Sequence, residues 1–83
     1  MTKVLLYSKP GCIACDQTKK LFNKYGVKFR EIDISINANA FKYLQDKGIM
    51  EMPVVVTNTD SWSSFRLDRI KGLAASLGLL PAR

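Results

Sequence analysis

The sequence contains no histidine and only two cysteines, Cys12 and Cys15, among its 83 residues. A structural zinc site usually has four protein ligands, mostly thiolates and imidazoles, and this chain offers two thiols and no imidazole. A complete site would need carboxylates or a second chain. The lack of histidine therefore weighs against metal binding. It leaves open an iron-sulfur or metal-binding module in which two chains share Cys12.

The sequence also lacks a long apolar run. The longest run near the N-terminus covers residues 4–7. A transmembrane helix needs about 20 apolar residues, and the apolar core of a signal peptide needs about 7–15. Nothing resembling a cleavage site follows the run. We therefore expect no membrane association and a cytoplasmic location.

Acidic residues are fewer than basic ones, 7 against 13, which gives a net charge of +6. Such a charge favours an acidic partner or a polyanion through long-range steering. The basic residues are nevertheless spread along the first third of the chain without an arginine-rich run, and no zinc-finger or aromatic RNA-binding signature accompanies them. We expect a solvated basic surface and no nucleic-acid partner.

No internal repeat, linker or low-complexity segment divides the chain, so residues 1–83 are expected to form a single domain. A domain of this length buries only about 60–65% of its unfolded surface. Its composition, 47% hydrophobic and 24% charged, is typical of a soluble globular protein. We expect a monomer with a modest core.

Four segments have the pattern of strands. Residues 4–7 form an unbroken apolar run and residues 53–57 a β-branched one, both typical of strands buried on two faces of a sheet. Residues 27–33 mix apolar and charged side chains, which fits a partly exposed edge strand. Residues 58–60 predict a turn, and residues 61–65 a short last strand.

Three segments carry apolar residues at helical spacing. The first covers residues 12–25 and ends before Gly26, the second is stopped by Gly48, and the third ends at Gly78 with Pro81 beyond it. The apolar positions are Ile36, Ala40, Phe41 and Leu44 in the second helix and Ile70, Leu73, Ala74 and Leu77 in the third. The resulting order, β-α-β-α-β-β-α, predicts an α/β domain with a small sheet covered by three helices. The first two strands are expected to be parallel, through a right-handed crossover.

Both cysteines lie at the predicted start of the first helix, in the segment YSKPGCIACDQ at residues 7–17. The free N–H groups and the positive end of the helix dipole stabilise a thiolate there, and Lys9 adds positive charge. Cys15 follows one helical turn later on the same side, so it can attack a mixed disulfide formed at Cys12. The spacing predicts a redox dithiol with Cys12 as nucleophile and Cys15 as resolving thiol. A passive disulfide here would close almost no loop and stabilise little.

A proline, Pro53, opens the third predicted strand. A plain strand-start proline is one interpretation. We predict instead a cis Met52-Pro53 bond beside the cysteines, because the chain must turn sharply into a central strand there. The exposed backbone of Met52 would then pair with an extended substrate segment, as in β-strand addition.

Together these features resemble the thioredoxin superfamily and, in size, the glutaredoxins. Residues 61–68, SWSSFRLD, resemble the W-S-G-F-R-P-D signature of NrdH-redoxins, the glutaredoxin-like electron donors of class Ib ribonucleotide reductase. KPGC at residues 9–12 and MPVVV at residues 52–56 match that family as well. Two positions depart from the signature: Ser64 replaces a glycine, and Leu67 replaces a proline.

The resemblance implies a thioredoxin fold, with a four-stranded mixed sheet and three helices. It also implies a dithiol carrier that thioredoxin reductase reduces and that donates electrons to class Ib ribonucleotide reductase. No bound cofactor is expected beyond the Cys12–Cys15 disulfide, and NADPH acts only through the reductase. The substrate- and partner-binding residues that we predict are Lys9, Met52, Pro53, Trp62, Ser63, Phe65 and Arg66.

Glutaredoxins bind glutathione partly through a Gly-Gly-x-Asp-type segment after the third strand, whereas residues 58–62 here read NTDSW. This difference favours a protein reductase, and a glutathione-dependent glutaredoxin is the alternative. Trp62 and Phe65 have two interpretations, core packing and a partner interface. Arg66 has two as well, since it either docks a partner or holds the turn by pairing with Asp68 or a backbone carbonyl.

Overall fold

A computed structural model describes residues 3–80 of the chain. It contains seven elements in the predicted order, and its four strands form one mixed sheet in the order β2-β1-β3-β4. No helix within these residues has the length and apolar content to cross a bilayer. The strands are β1 (Leu5–Ser8), β2 (Arg30–Asp33), β3 (Val54–Val56) and β4 (Ser61–Ser63), and the helices are α1 (Ile13–Tyr25), α2 (Ala38–Asp46) and α3 (Leu67–Ser76).

The sheet register decides which side chains share a face. β1 is parallel to β2, as predicted, and antiparallel to β3, which in turn is antiparallel to β4. Val55 lies between Leu6 and Trp62 in the register, so these three side chains project from one face. Tyr7 and Val54 are paired neighbours and project from the other face.

Each face of the sheet carries its own hydrophobic cluster. The larger one fills the space between the sheet and helices α1 and α3, and its buried members are Val4, Leu6, Phe22, Val27, Val55, Trp62, Ile70, Leu73 and Ala74. The smaller one lies on the α2 side and consists of Cys12, Cys15, Leu44, Met52 and Val54. The two cysteines are therefore part of the smaller core cluster.

The start of β2 is later than the sequence pattern predicts. Gly26 ends α1 with φ of +78°, as expected for a left-handed cap, and Val27 N–H donates to the Phe22 carbonyl at 2.8 Å. Val27 thus completes the helix cap and buries its side chain in the larger cluster. Only from Arg30 does the chain pair with β1, at the edge position that was predicted.

The prediction for α2 was wrong at its first turn. Asn37 is the N-cap, with its side chain accepting from Ala40 N–H at 3.0 Å, so the helix begins at Ala38. Ile36 precedes the cap and is 85% exposed instead of lying on the buried face, and Phe41 is half exposed. The end of the helix agrees with the prediction, because Gly48 has φ of +72°.

The last strand is shorter than predicted. β4 ends at Ser63 because Ser64 has φ of +69°, which breaks the extended backbone before Phe65. Helix α3 starts at Leu67, and Gly78 beyond its end has positive φ, as predicted. Pro81 lies outside the described residues.

Candidate redox site

Cys12 and Cys15 form a disulfide at the start of α1, with their Cα atoms 5.2 Å apart. Cys12 is the N-cap, in extended conformation, and Cys15 lies in the first turn. The backbone N–H of Cys15 donates to Sγ of Cys12 at 3.1 Å. The predicted placement of both cysteines at the helix start is confirmed.

The turn between β1 and α1 sets this geometry. Gly11 has φ of +72°, a conformation that L side chains rarely adopt, and it directs the chain from the end of β1 into the helix. The first helical hydrogen bond then runs from Asp16 N–H to the Cys12 carbonyl at 3.1 Å. The sulfur of the capping residue therefore lies where the free N–H groups of the helix point.

The two thiols differ in exposure. Cys12 is 9% exposed and Cys15 only 1%. The neighbouring Ile13 is 75% exposed, so the surface beside Cys12 is open and apolar. An incoming disulfide reaches Cys12 first, while Cys15 lies behind it. This asymmetry supports the predicted order of attack, and the roles themselves stay predictions.

Met52 and Pro53 lie against the cysteine pair. The Met52-Pro53 peptide bond is cis, as predicted. Met52 packs in the same cluster as Cys12 and Cys15, and Pro53 is fully buried between Met52 and the first residue of β3. Within residues 3–80 no hydrogen bond engages the backbone of Met52. Its backbone N–H and C=O are therefore unpaired within these residues, while the residue as a whole is 8% exposed, and pairing with an extended ligand stays a prediction.

Ser64 is a residue of this region that the predicted site did not include. Its backbone N–H donates to the Pro53 carbonyl at 2.9 Å, and its hydroxyl donates to Oε2 of Glu51. Both partners are immediate neighbours of Met52 in sequence. The sequence signal that could have identified Ser64 is that it replaces a glycine of the NrdH-redoxin signature. A serine with positive φ at a glycine position needs compensating contacts.

The aromatic residues of the 61–68 segment pack in the core. Trp62 is 7% exposed and belongs to the larger cluster, across the sheet from the cysteines. Its Nε1 is buried and has no hydrogen-bond partner within the described part of the chain. Phe65 is half-buried against the same cluster. Core packing is thus confirmed for Trp62, and a role in partner binding stays a prediction.

Ser63 and Lys9 line two separate grooves beside α2. Ser63 lies at the rim of a groove of about 310 Å³ formed with Tyr43, Leu44 and Val54. Lys9 is exposed and lines a smaller groove of about 170 Å³ that also includes Met52. Of these two predicted residues, only Lys9 shares a groove with the segment beside the cysteines.

Arg66 forms a two-pronged ion pair with Asp68. Its Nε donates to Oδ1 at 3.1 Å and its Nη2 to Oδ2 at 2.9 Å, which lowers the pKa of Asp68 from its ordinary value. The pairing with Asp68 that the turn-holding interpretation requires is present, and both roles of Arg66 stay predictions. The Arg66 side chain is still 45% exposed, so one face of the guanidinium remains open to solvent.

A second polar network was not found from the sequence. The buried hydroxyl of Ser8 donates to Oε2 of Glu31 at 2.6 Å, and Lys19 Nζ donates to the same oxygen at 3.0 Å. The hydrogen bond from Ser8, and after it the one from Lys19, lowers the pKa of the Glu31 carboxyl below its ordinary value. The network joins the end of β1 and the edge strand β2 to α1, one turn beyond Cys15. It links the middle of α1 to the β1–β2 side of the sheet.

Possible metal ligands are also few in the structure. Within residues 3–80 no group of three or more cysteine, aspartate or glutamate side chains lies close enough to hold a metal ion.

The amino-acid sequence is similar to those of known proteins. The glutaredoxin family model matches residues 4–62. The chain belongs to the glutaredoxin family. Glutaredoxin-like protein NrdH of Salmonella typhimurium is 30% identical over 70 residues, which cover 84% of this chain and 86% of that protein. The Escherichia coli protein of the same name is 31% identical over 71 residues, which cover 86% of this chain and 88% of that protein.

A solved structure agrees with these relatives. The glutaredoxin-like NrdH-redoxin from Escherichia coli superposes with a TM-score of 0.83 at 30% identity, covering 98% of this chain and 99% of that chain. The predicted thioredoxin fold and the resemblance to NrdH-redoxins are thereby confirmed. The chain is an NrdH-like, glutaredoxin-like redox protein with a Cys12–Cys15 pair.

Proposed function

We propose that this glutaredoxin-like protein carries electrons from thioredoxin reductase to class Ib ribonucleotide reductase in the cytoplasm. The observation that carries the proposal is the Cys12–Cys15 disulfide at the start of α1, beside the free backbone of Met52. Cys12 is more exposed than the resolving Cys15, and the neighbouring backbone of Met52 has no hydrogen bond within residues 3–80, an arrangement suited to exchange with a protein disulfide.

The reaction transfers two electrons in two exchanges. In the reduced protein the Cys12 thiolate attacks one sulfur of the substrate disulfide, which forms a mixed disulfide and releases one substrate thiolate. The Cys15 thiolate then attacks the Cys12 sulfur, which releases the second substrate thiolate and forms the Cys12–Cys15 disulfide. Two electrons have moved to the substrate, and the released thiolates take up protons. The dithiol of the reductase, reduced by NADPH, reverses the process on the carrier.

Three observations favour a protein reductase over glutathione. Residues 58–62 lack the Gly-Gly-x-Asp-type segment of glutathione-binding glutaredoxins. The related Escherichia coli NrdH-redoxin is described as having a thioredoxin-like activity profile. The half-exposed Arg66 also presents a guanidinium, a group enriched in protein interfaces.

A coupled assay tests the proposal. Oxidation of NADPH is followed in the presence of a protein disulfide, with thioredoxin reductase in one series and with glutathione plus glutathione reductase in the other. We expect efficient turnover with thioredoxin reductase, and dependence of class Ib ribonucleotide reductase on the reduced carrier. Turnover only with glutathione would replace the proposal by a glutathione-dependent glutaredoxin. Bound iron or zinc in the purified protein would instead favour the metal-binding alternative.

A further inference from the structure

Ser64 is the one residue other than glycine with positive φ among residues 3–80, at +69°. A side chain in this region costs free energy relative to glycine, so the conformation persists only where the surroundings impose it. At Ser64 the surroundings are two hydrogen bonds. One links its N–H to the Pro53 carbonyl, and the other links its hydroxyl to the Glu51 carboxylate.

These two bonds reach both sides of Met52. Glu51 precedes Met52 and Pro53 follows it, so Ser64 holds both ends of a three-residue segment. Met52 itself is 8% exposed and packs with Cys12 and Cys15. Its backbone makes no hydrogen bond within the described residues. Backbone that is already held in its bound position binds a ligand more tightly, because less ordering is required on binding.

We propose that Ser64 is a positioning residue that acts, together with Glu51, by holding the Met52 backbone in place for a peptide substrate. This role rests on the proposed dithiol–disulfide function. Ser64 does not touch the reacting sulfurs, so its hydroxyl contributes to recognition of the peptide chain around the disulfide and not to the exchange itself. The substrate class that profits is a disulfide within an extended polypeptide. A small disulfide without flanking peptide backbone would not pair with Met52, so the Ser64 hydrogen bonds should not affect its reaction.

The test uses two disulfides and single-exchange kinetics with the reduced protein. One substrate is a cystine-linked extended peptide, and the other is dithiobis(nitrobenzoic acid), which has no peptide backbone. In Ser64→Gly the backbone conformation is eased while the hydroxyl is lost, so the melting temperature should hold. We expect the rate constant with the peptide to fall about three- to ten-fold, the effect of one lost hydrogen-bonded contact, and the rate with the small disulfide to change less than two-fold.

Variants of Glu51 separate positioning from simple loss of structure. Glu51→Gln keeps an acceptor for the hydroxyl and should retain the peptide rate, whereas Glu51→Ala should match Ser64→Gly, and the double variant should be no slower than either. Ser35→Gly is the matched control, because Ser35 also donates to a carboxylate, that of Asp33, and makes no hydrogen bond to residues 51–53 within the described part of the chain.

The outcomes distinguish a failure of the positioning role of Ser64 from a failure of the proposed dithiol function. An unchanged peptide rate in Ser64→Gly, or an equal loss with both disulfides, would overturn the positioning role alone. A wild-type protein that reacts with neither disulfide would overturn the dithiol function and the role of Ser64 with it.

Discussion

The backbone N–H of Cys15 donates a hydrogen bond to Sγ of Cys12 across 3.1 Å. In the reduced protein a donor in this position would favour the thiolate form of Cys12, because hydrogen bonds to a charged acceptor are stronger than those between neutral groups. The helix dipole acts in the same direction on the capping sulfur. No hydrogen-bond donor reaches Sγ of Cys15 within residues 3–80, and this residue is almost fully buried.

This difference predicts that serine variants at the two cysteines behave differently with a disulfide substrate. Cys15→Ser should accumulate a stable mixed disulfide at Cys12, because no second thiol is present to release the substrate. Cys12→Ser should form no adduct. Mass spectrometry after reaction with a cystine-linked peptide measures both, with wild type as the control that completes turnover. An adduct at Cys15 in Cys12→Ser would mean that the roles are reversed.

The capping residue of α2 gives a stability prediction. Asn37→Ala removes the bond from Ala40 N–H and should lower the free energy of unfolding by about 1 kcal/mol. For a domain of this size that corresponds to roughly 4–8 °C in the melting temperature. Asn39→Ala, within the same helix, is the control and should not destabilise, since its side chain makes no hydrogen bond in residues 3–80 and alanine favours helix. Equal melting temperatures for the two variants would contradict the capping role.

The order of elements was predictable because it depends on local periodicity. The apolar run at residues 4–7, the β-branched run at residues 53–57 and the glycines that end the helices all lie in short segments whose pattern is visible in the sequence. The error at Ile36 shows where periodicity fails. Its spacing to Ala40 is helical, but Asn37 between them is a strong N-cap, and the cap decides where the helix begins.

The site was predictable where neighbours in sequence form it. Cys12 and Cys15 are three residues apart, and the helix start that holds them follows from the strand and turn before it. The missed contacts join distant positions: Ser8 and Glu31 are 23 residues apart, and Ser64 and Glu51 are 13 apart. Such pairs depend on strand register and loop path, which no local pattern encodes.

The Glu31 carboxylate makes the stability of the fold depend on pH. Its folded-state pKa lies below the ordinary value, because Ser8 and then Lys19 donate to it. Its stabilisation is therefore present above the unfolded pKa of about 4.3 and is lost as pH falls through the folded pKa. We expect Glu31→Gln to lower the unfolding free energy at neutral pH by about 0.5–1 kcal/mol, limited by solvent screening of this partly exposed group.

Urea unfolding at a series of pH values measures the effect. The deficit of Glu31→Gln should shrink as the pH falls from the unfolded pKa of about 4.3 through the lower folded-state pKa, because the stabilising charge of the wild-type carboxylate is lost over that range. Asp46→Asn is the control, because within residues 3–80 the Asp46 side chain forms only an exposed pair with Lys42 at 3.7 Å, and the substitution should change stability little. A deficit of Glu31→Gln that stays constant into acid would show that the carboxylate charge does not contribute.

The buried indole of Trp62 predicts a packing effect. Trp62→Ala should cost about 3–5 kcal/mol, because it leaves a cavity in the larger cluster. Trp62→Phe keeps most of the apolar contact and removes a buried N–H that has no partner within residues 3–80, so its cost should be much smaller. Chemical unfolding compares the two. Similar losses in both variants would indicate that the indole N–H has a partner, such as an ordered water.

Arg66 offers the sharper test of docking, because its side chain is 45% exposed while Trp62 is buried. Arg66→Ala removes one exposed ion pair and should change stability little, because solvent screens such pairs. We expect it to lower kcat/KM with thioredoxin reductase about ten-fold, an ordinary effect for an interface arginine. Arg69→Ala is the matched control, since this arginine of α3 also pairs with a carboxylate, that of Asp60, and is similarly exposed. If kcat/KM fell equally in the two arginine variants, the cause would be long-range charge steering and not docking. Steering treats two neighbouring guanidinium groups alike, whereas a docking contact depends on one of them.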